Sequence, residues 1–572
     1  MPVNREMDRF EAGPLRDATE LMQPERLASL KQTRLSFARL LIDKMTREEW
    51  EIERAEGGYD EHGVGRAVYS IETPDRRFSF CVFSHEAGEG DHTGRIVAED
   101  WDMWGFLCEG EPTEELMESQ YEELPKVREG RATSDILIWV RGNRSTRVFD
   151  HVVESLAAGH QPDIDRLAKG GYLTRSSGYY GNGLNGTKEF KAMDDDHPLS
   201  GPYMAQMLTI WMLRIYGFDV AEEMAASRSA DAASLDYEIK RYLGTGNSSG
   251  IGIIHYVINH PQLIHTWIRA REVALARVKT IEPTTDEIRQ FESLLADATR
   301  WFREDESETK EFFQSKDLIA DGLTRIDERL AAREEAAGEP TLWADLCSWA
   351  DEALEMETQE VLHSLLLDVY PEVSQGLENT LTIKEQSDIV PGMTLDRLES
   401  QILSSYQWAL DIDLTEPGTQ RYFWYRSIDS EEPRLGIRGE HEYEEYGLPV
   451  DIARQVQRLE LDLQAFDATD TVAEFLLQHP EHRSIVERVQ TVHNLPYAEV
   501  RANPLGRDFV PLSLISCLKA IWGIQKAHPK SEGWVRGTFF QGAPLPVDIK
   551  HGDESYWLYP EKPQRADTWR EN

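Results

Sequence analysis

One long stretch of this chain, from residue 283 to about residue 415, carries the helical repeat of apolar residues almost without interruption. Segments rich in β-forming residues come before and after it, so strands and helices do not alternate. This order argues against a sheet built from βαβ units. The sequence therefore predicts a mainly α, or α+β, protein. It would have a large helical body, a small antiparallel β region near the N-terminus and a β-hairpin in the C-terminal third.

The length of 572 residues exceeds what one compact core usually organises, so several domains are expected. Changes in character along the chain predict three regions. Residues 1–172 form an N-terminal α+β region, 173–415 a central helical domain and 416–572 a C-terminal α+β region. The apolar run that begins at Tyr203 contains Arg214 and is too short to span a membrane, so it is predicted to be a buried core helix.

The chain is strongly acidic, with 61 lysines and arginines against 103 aspartates and glutamates and a formal net charge of −42 at pH 7. A surface of this charge repels polyanions and anionic lipid, so neither a nucleic-acid nor a membrane partner is expected. The composition is typical of proteins from a salty, halophile-like cytoplasm, where salt screens the repulsion between carboxylates. The four cysteines are scattered and no signal peptide is recognised, which predicts a cytoplasmic location.

The segment GYYGNGLNGTKEF, residues 178–190, contains the pattern G-x-G-x-x-G. In a dinucleotide-binding fold this pattern follows a buried strand and opens a helix. Here the preceding residues are polar and interrupted by glycine, so the segment is interpreted as a loop without a dinucleotide. Its N–H groups, hydroxyls and cations suit an anionic ligand, although a plain surface turn is the alternative. The candidate residues are Arg175, Tyr179, Tyr180, Asn182 and Lys188.

A second glycine-rich segment, GTGNSSGIGIIHYVINHP, begins at Gly244. Gly244 is predicted to end one helix, and Asn247, Ser248 or Ser249 to cap the next. A helix N-terminus presents free N–H groups and a positive dipole, which suit a carboxylate or a phosphate. His255 would lie in the first turns of that helix and is the candidate general base. A helix–loop–helix corner without a ligand is the alternative.

Arginines interleaved with aromatic residues mark a third candidate site, in the predicted C-terminal hairpin. Arg421 and Arg426 are expected to bind a substrate carboxylate or phosphate, which guanidinium groups recognise in a bidentate manner. A hairpin stabilised by salt bridges is the alternative. A similar mixture further along the chain provides secondary candidates: Arg507, Lys530, Arg536 and Gln541.

No metal site and no bound cofactor are predicted. His255, His260 and His265 follow one another at intervals of five residues, which places them on different faces of any continuous helix. The cysteines form no zinc-binding pattern. A nucleotide or flavin cofactor stays open as an alternative because of the glycine-rich segments.

These features together predict a cytosolic enzyme that acts on a small carboxylate or phosphate metabolite by non-redox acid–base chemistry, as a lyase, hydrolase or isomerase. His255 would serve as the base and Tyr179 or Tyr180 as the acid, with Lys188 also able to move protons. A nucleotide- or flavin-dependent oxidoreductase and a non-catalytic scaffold or sensor are the alternatives. A homo-oligomer is also possible. The whole hypothesis requires the two glycine-rich segments to meet in one pocket.

Overall fold

The computed structural model describes residues 13–85, 102–123, 136–145, 148–181, 196–250, 260–304, 315–333, 338–381, 389–416, 422–426, 433–437, 452–501, 519–531, 534–553 and 557–564. For Pro24 and residues 177–181, 248–250, 422–426, 433–437, 528–531 and 534–536 it describes the backbone alone.

Eleven strands occur in the described part of the chain: β1 (Glu51–Tyr59), β2 (Gly65–Glu72), β3 (Arg77–Ser84), β4 (Met103–Glu109), β5 (Ile136–Arg144), β6 (Tyr172–Gly181), β7 (Gly244–Gly250), β8 (Tyr422–Arg426), β9 (Pro433–Ile437), β10 (Ile524–Ser531) and β11 (Trp534–Phe539). Nine of them form one mixed sheet in the order β1-β2-β3-β4-β5-β6-β7-β11-β10. Every neighbouring pair is antiparallel except β6 and β7, which are parallel. Strands β8 and β9 pair separately as an antiparallel ribbon.

The single large sheet overturns the predicted fold class. The prediction of a small antiparallel region near the N-terminus is wrong, because strands from the N-terminal, central and C-terminal parts of the chain join one nine-stranded sheet. The predicted hairpin fits only in part: β8 and β9 are present, but β10 and β11 belong to the main sheet. Helices nevertheless account for more of the described residues than strands do. The sequence could not reveal the sheet because β11 pairs with β7, a strand that lies much earlier in the chain.

The described helices are α1 (Ala18–Leu21), α2 (Pro24–Ser29), α3 (Phe37–Arg47), α4 (Glu114–Glu123), α5 (Phe149–Ala157), α6 (Ile164–Gly170), α7 (Met204–Arg228), α8 (Tyr237–Tyr242), α9 (Pro261–Val278), α10 (Thr285–Glu304), α11 (Lys316–Ala331), α12 (Leu342–Ala353), α13 (Met356–Val369), α14 (Leu395–Leu410), α15 (Ile452–Leu463), α16 (Val472–Gln478), α17 (Arg483–Val492) and α18 (Pro546–Lys550). None of these helices is both long and apolar enough to cross a membrane.

Two hydrophobic cores account for most of the burial among the described residues. The larger core includes residues from Leu21 to Trp557 and contains the helices packed on the sheet. A smaller core is built from α14, α15, α16 and α17, between Met393 and Ala498. The three predicted domain regions stay a prediction.

Helix α7 is the buried helix that the apolar run from Tyr203 predicts, and it packs against β1, β5, β6 and β7. Its Trp211 is fully buried, and Arg214 is 1% exposed. The Arg214 guanidinium donates to the carbonyl oxygens of Leu243 at 2.7 Å and Pro544 at 3.1 Å, and to two carbonyls of α8. Burial lowers the pKa of Arg214 to about 9. These hydrogen bonds attach α7 to the start of β7 and to the segment after β11.

Helix α13 buries carboxylates, although charged residues on a periodic helix usually lie on its solvated face. Glu360 is fully buried and accepts hydrogen bonds from Arg16 Nη1 at 2.6 Å and Arg271 Nη2 at 2.5 Å. The same two arginines also bind Glu272, Arg16 at 2.7 Å and Arg271 at 2.9 Å. Burial opposes the ionisation of Glu360, but the two guanidinium groups outweigh it and hold its pKa well below the usual range.

His363 lies beside this charge network and makes stability depend on pH. Its Nδ1 is 3.5 Å from Glu360 Oε2, and the ring is fully buried. Burial lowers the pKa of His363 to about 4; Glu360 opposes this shift, whereas Arg16 and Arg271 add to it. The folded state therefore keeps a neutral imidazole where the unfolded state binds a proton. The contribution to stability is complete above the unfolded pKa, about 6.5, and is lost as the pH falls from there towards 4.

We expect His363→Leu to flatten the pH dependence of stability. Between pH 6.5 and 4.5, wild type should lose about 2–3 kcal/mol more unfolding free energy than the variant, at about 1.4 kcal/mol per pH unit. Urea unfolding at several pH values measures the difference. His493→Leu is the control, because His493 is exposed. Equal slopes for wild type and His363→Leu would rule out this role of the buried imidazole.

Candidate functional site

The strand that leads into the first glycine-rich segment lies beside the second segment in the sheet. Strands β6 and β7 pair at three positions: Tyr172 with Gly244, Arg175 with Gly246, and Ser176 with Asn247. Asn247 is 4% exposed, and its Nδ2 donates to Ser176 Oγ at 2.6 Å. The residues just before the first segment therefore contact the first residues of the second segment, but as paired strands.

Where these segments are described, the predicted loop and the predicted helix cap are wrong. Residues 178–181, interpreted as the start of a loop, belong to β6, between β5 and β7. Asn247, Ser248 and Ser249 do not cap a helix; they lie in β7, where Ser248 and Ser249 pair with Arg536 and Val535 of β11. Strand pairing satisfies the backbone groups that the prediction reserved for an anion, because ladder hydrogen bonds use the same N–H donors.

Close backbone approach explains two of the glycines in β7. A Cβ atom on Gly244 would lie 2.2 Å from the carbonyl oxygen of Phe539 and 2.9 Å from the amide nitrogen of Gln541. A Cβ atom on Gly246 would lie 2.7 Å from the ring of Tyr172. No side chain fits at these distances, so Gly244 and Gly246 are required by packing between strands.

The other predicted site residues fall into two groups. Tyr179 and Tyr180 lie in β6 opposite Val140 and Trp139 of β5, and Arg426 ends β8; for these three the structure describes the backbone alone. The following residues lie outside the described residues: Asn182, Lys188, His255 and Arg421. Arg175 and Asn247 are thus the predicted site residues whose side chains are described, and they lie on the adjacent strands β6 and β7.

A narrow cleft with a cavity volume of about 30 Å³ lies beside the edge strand β10. It is lined by Lys31, Lys519 and Lys526, which are 7%, 8% and 4% exposed, and we call it the lysine cleft. Its described lining residues include no aspartate or glutamate. Lys31 Nζ lies 3.4 Å from the buried Glu357. Three lysines thus line one cleft in a chain with a net charge of −42, and one of them is paired with a carboxylate.

Aromatic side chains form one wall of the lysine cleft. Trp301 and Phe302, near the end of α10, contact Tyr559, and the three ring centroids are 5.0 to 5.7 Å apart. Lys526 Nζ lies 5.7 Å from the centroid of the Trp301 ring. A positive charge over an aromatic ring is a favourable contact. The cleft therefore offers an apolar, flat surface directly beside its positive charge.

Two glutamines bring buried polar atoms without partners to the lysine cleft. Gln541 is 1% exposed, and neither Oε1 nor Nε2 has a hydrogen-bond partner; the same holds for Oε1 of Gln32. Buried side-chain polar atoms are rarely left in this state. The residue before Gln541, Phe540, has φ of 59°, a conformation uncommon outside glycine. Unsatisfied amides and local backbone strain both cost stability, and such features concentrate at functional sites.

Gln541 also links the lysine cleft to the paired glycine-rich strands. A Cβ atom on Gly171, just before β6, would lie 3.7 Å from both amide atoms of Gln541. The backbone of Gln541 is held by Gln525 of β10: its N–H donates to Gln525 Oε1, and Gln525 Nε2 donates to its carbonyl oxygen. Gln525 Nε2 also donates to the carbonyl oxygen of Trp557 at 3.2 Å. The side chain of Gln541 is thus the feature shared by the two regions.

Sequence reasoning named Gln541 as a secondary candidate but missed Lys31, Lys519 and Lys526. One signal was available: the chain has 16 lysines in all, and two of them flank the apolar segment AIWGIQ within eight residues. Burying a lysine costs free energy unless its ammonium group is paired. That signal does not reveal Lys31, which reaches the cleft from the opposite end of the chain.

A second, more open cavity lies between β1 and α7 and is acidic. Glu53, Asp219, Glu222 and Glu223 line it, together with Arg54. Burial raises the pKa of Asp219, although a hydrogen bond from a neighbouring tyrosine opposes that shift. An anionic ligand would be repelled here, so the lysine cleft is the better candidate for the predicted ligand class.

No family model matches the chain, and comparison with curated proteins and with solved structures found no match.

Proposed function

We propose that the protein is cytoplasmic and binds a small anionic metabolite in the lysine cleft. The observation that carries the proposal is the set of three buried lysines beside the unsatisfied amide of Gln541 in a strongly acidic chain. A carboxylate or phosphate would accept hydrogen bonds from the ammonium groups and from Gln541 Nε2. An apolar or planar part of the same molecule would lie against Trp301 and Tyr559.

The charge of the chain favours a metabolite over a polymer. The cavity of about 30 Å³ admits only a water-sized group, so an oxygen of a carboxylate or phosphate, and not a whole metabolite, would enter it. A nucleic acid would have to approach a surface with a net charge of −42, and the phosphate attraction that drives such binding would be reversed.

The second part of the proposal is that the protein catalyses a reaction by non-redox acid–base chemistry. Its support is the position of Gln541, which lines the lysine cleft and lies beside Gly171, just before the strand β6 that carries Arg175. The base assigned to His255 lies outside the described residues and stays a prediction. A flavin or nucleotide cofactor and a purely structural role are the competing proposals.

The test compares two neighbouring glutamines, Gln541 and Gln525. Gln541→Leu should leave the unliganded protein as stable as wild type or up to about 2 kcal/mol more stable, because it removes buried amide atoms that have no partners. The same variant should lose the rise in melting temperature that small carboxylates and phosphates produce in wild type. Thermal unfolding with citrate, inorganic phosphate and AMP, each against a neutral analogue, measures both effects.

Gln525→Leu is the matched control. Its amide makes three hydrogen bonds to Gln541 and Trp557, so the variant should be about 1–3 kcal/mol less stable. If Gln541→Leu is destabilised to the same extent, or if no anion raises the melting temperature of wild type more than its neutral analogue does, the proposed binding site is wrong.

A further inference from the structure

Four potential metal ligands lie beside the smaller hydrophobic core, and none of them lines the lysine cleft. They are Asp462, His479, Glu481 and His482, and each offers one ligand atom within 4.8 Å of the others. Asp462 lies near the end of α15, His479 directly follows α16, and Glu481 and His482 form the short 3₁₀ turn before α17. This cluster does not depend on the proposed function.

Aromatic packing fixes the orientation of both imidazoles. The rings of His479 and His482 stack on Phe475 of α16, with centroid distances of 5.2 and 5.6 Å and interplanar angles of 20° and 19°. Phe466 contacts His479 edge-on at 5.7 Å. His482 is 5% exposed, whereas the side chain of His479 is 29% exposed. The two imidazoles are therefore held in place by aromatic packing on one side, and His479 is accessible to solvent on the other.

Each histidine already contacts a carboxylate. His482 Nε2 is 2.7 Å from Asp462 Oδ2, and His479 Nδ1 is 3.1 Å from Glu481 Oε1. With neutral imidazoles the cluster carries two negative charges, which one divalent cation would neutralise. Tetrahedral zinc places its ligand atoms roughly 3.3 Å apart, at metal–ligand distances of about 2.0–2.2 Å. Small side-chain rotations from the observed arrangement reach that spacing.

We infer that this cluster is a zinc site formed by His479, His482, Asp462 and Glu481. Imidazole nitrogen suits zinc and other late transition metals, whereas calcium and magnesium prefer oxygen ligands alone. Four protein ligands leave no open position, which is the mark of a structural site. The ion would tie the end of α15 to the turn between α16 and α17. The sequence signal was the short pattern H-P-E-H, with its fourth ligand on another helix.

The experiment uses the full-length chain after removal of metals with EDTA. Calorimetric titration with zinc chloride alone should show one ion bound per chain. Thermal unfolding should show a higher melting temperature for the zinc-bound chain. Cobalt chloride should give the intense visible absorption of a tetrahedral site with imidazole and carboxylate ligands. Calcium chloride should do neither.

Ligand variants decide whether the ion binds at this cluster. His479→Gln and Asp462→Asn change half-buried residues and should fold, and each should weaken zinc binding by more than the roughly 10–100-fold expected for loss of an outer-shell partner. His493→Gln, an exposed histidine of the same helical unit, is the control and should bind zinc as wild type does. The inference is overturned if wild type binds no zinc, or if both ligand variants retain wild-type affinity.

Discussion

Glu360→Gln is expected to lower the free energy of unfolding by about 3–5 kcal/mol, the usual cost of breaking a buried ion pair on one side. Glu360 is fully buried and balances the charges of Arg16 and Arg271, of which Arg271 is itself 0% exposed. Glutamine keeps the shape but removes the negative charge, so Glu272 would be left as the remaining carboxylate for both guanidinium groups. Equilibrium unfolding in urea near neutral pH measures the loss.

Glu292→Gln is the control for this prediction. Glu292 lies on the exposed face of α10, and its substitution should change stability by no more than about 0.5 kcal/mol. A Glu360→Gln variant that unfolds at the same urea concentration as Glu292→Gln would mean that the buried charges contribute little to stability. The two arginines would then have to be satisfied in some other way.

Gly244→Ala is expected to cost about 3 kcal/mol or more, because the added methyl group has no space. Its Cβ would lie 2.2 Å from the Phe539 carbonyl oxygen, a backbone atom that cannot rotate away. The pairing of β7 with β11 would have to open at Thr245–Phe539, and overpacking that displaces backbone is among the most destabilising single changes. The displaced atoms include the amide nitrogen of Gln541, so anion binding should weaken as well.

Gly392→Ala provides the matched comparison. A Cβ atom at Gly392 would meet no other atom within 4 Å, so this substitution should be nearly neutral. Stability is measured for both variants by thermal and urea unfolding, and the anion affinity of each is measured as well. The comparison distinguishes the effect of strand packing from the general effect of removing a glycine. Equal stability of Gly244→Ala and Gly392→Ala would contradict the observed register of β7 against β11.

Local patterns predicted those parts of the fold in which neighbouring residues decide the structure. The apolar run from Tyr203 specifies α7, and the periodic stretch from residue 283 onwards contains the helices α10 to α13. The same reasoning failed for β6 and β7, which are polar and rich in glycine. These strands form because glycine allows the close contacts of Gly244 with Phe539 and of Gly246 with Tyr172, and such contacts cannot be recognised from strand propensity.

Of the residues of the proposed site, the sequence analysis reached only Gln541, as a secondary candidate. The glycine-rich segments suggested an anionic ligand, which stays a prediction. Lys31 and Lys526 lie close to opposite ends of the chain and are brought to one cleft by the packing of helices against β10, which no local pattern encodes. Glu360 shows that a local pattern can also predict the wrong exposure for a charged side chain. A carboxylate on a periodic helix is usually solvated, and only tertiary contacts reveal that Arg16 and Arg271 bury it.

The most direct test of an anion site in the lysine cleft is calorimetric titration of wild type and Gln541→Leu with whichever anion most raises the melting temperature of wild type. The account predicts one binding site per chain in wild type and an affinity at least about tenfold lower in the variant, as expected when a hydrogen bond to a charged group is lost. Equal affinities in two equally stable proteins would contradict it, because the anion would then bind elsewhere.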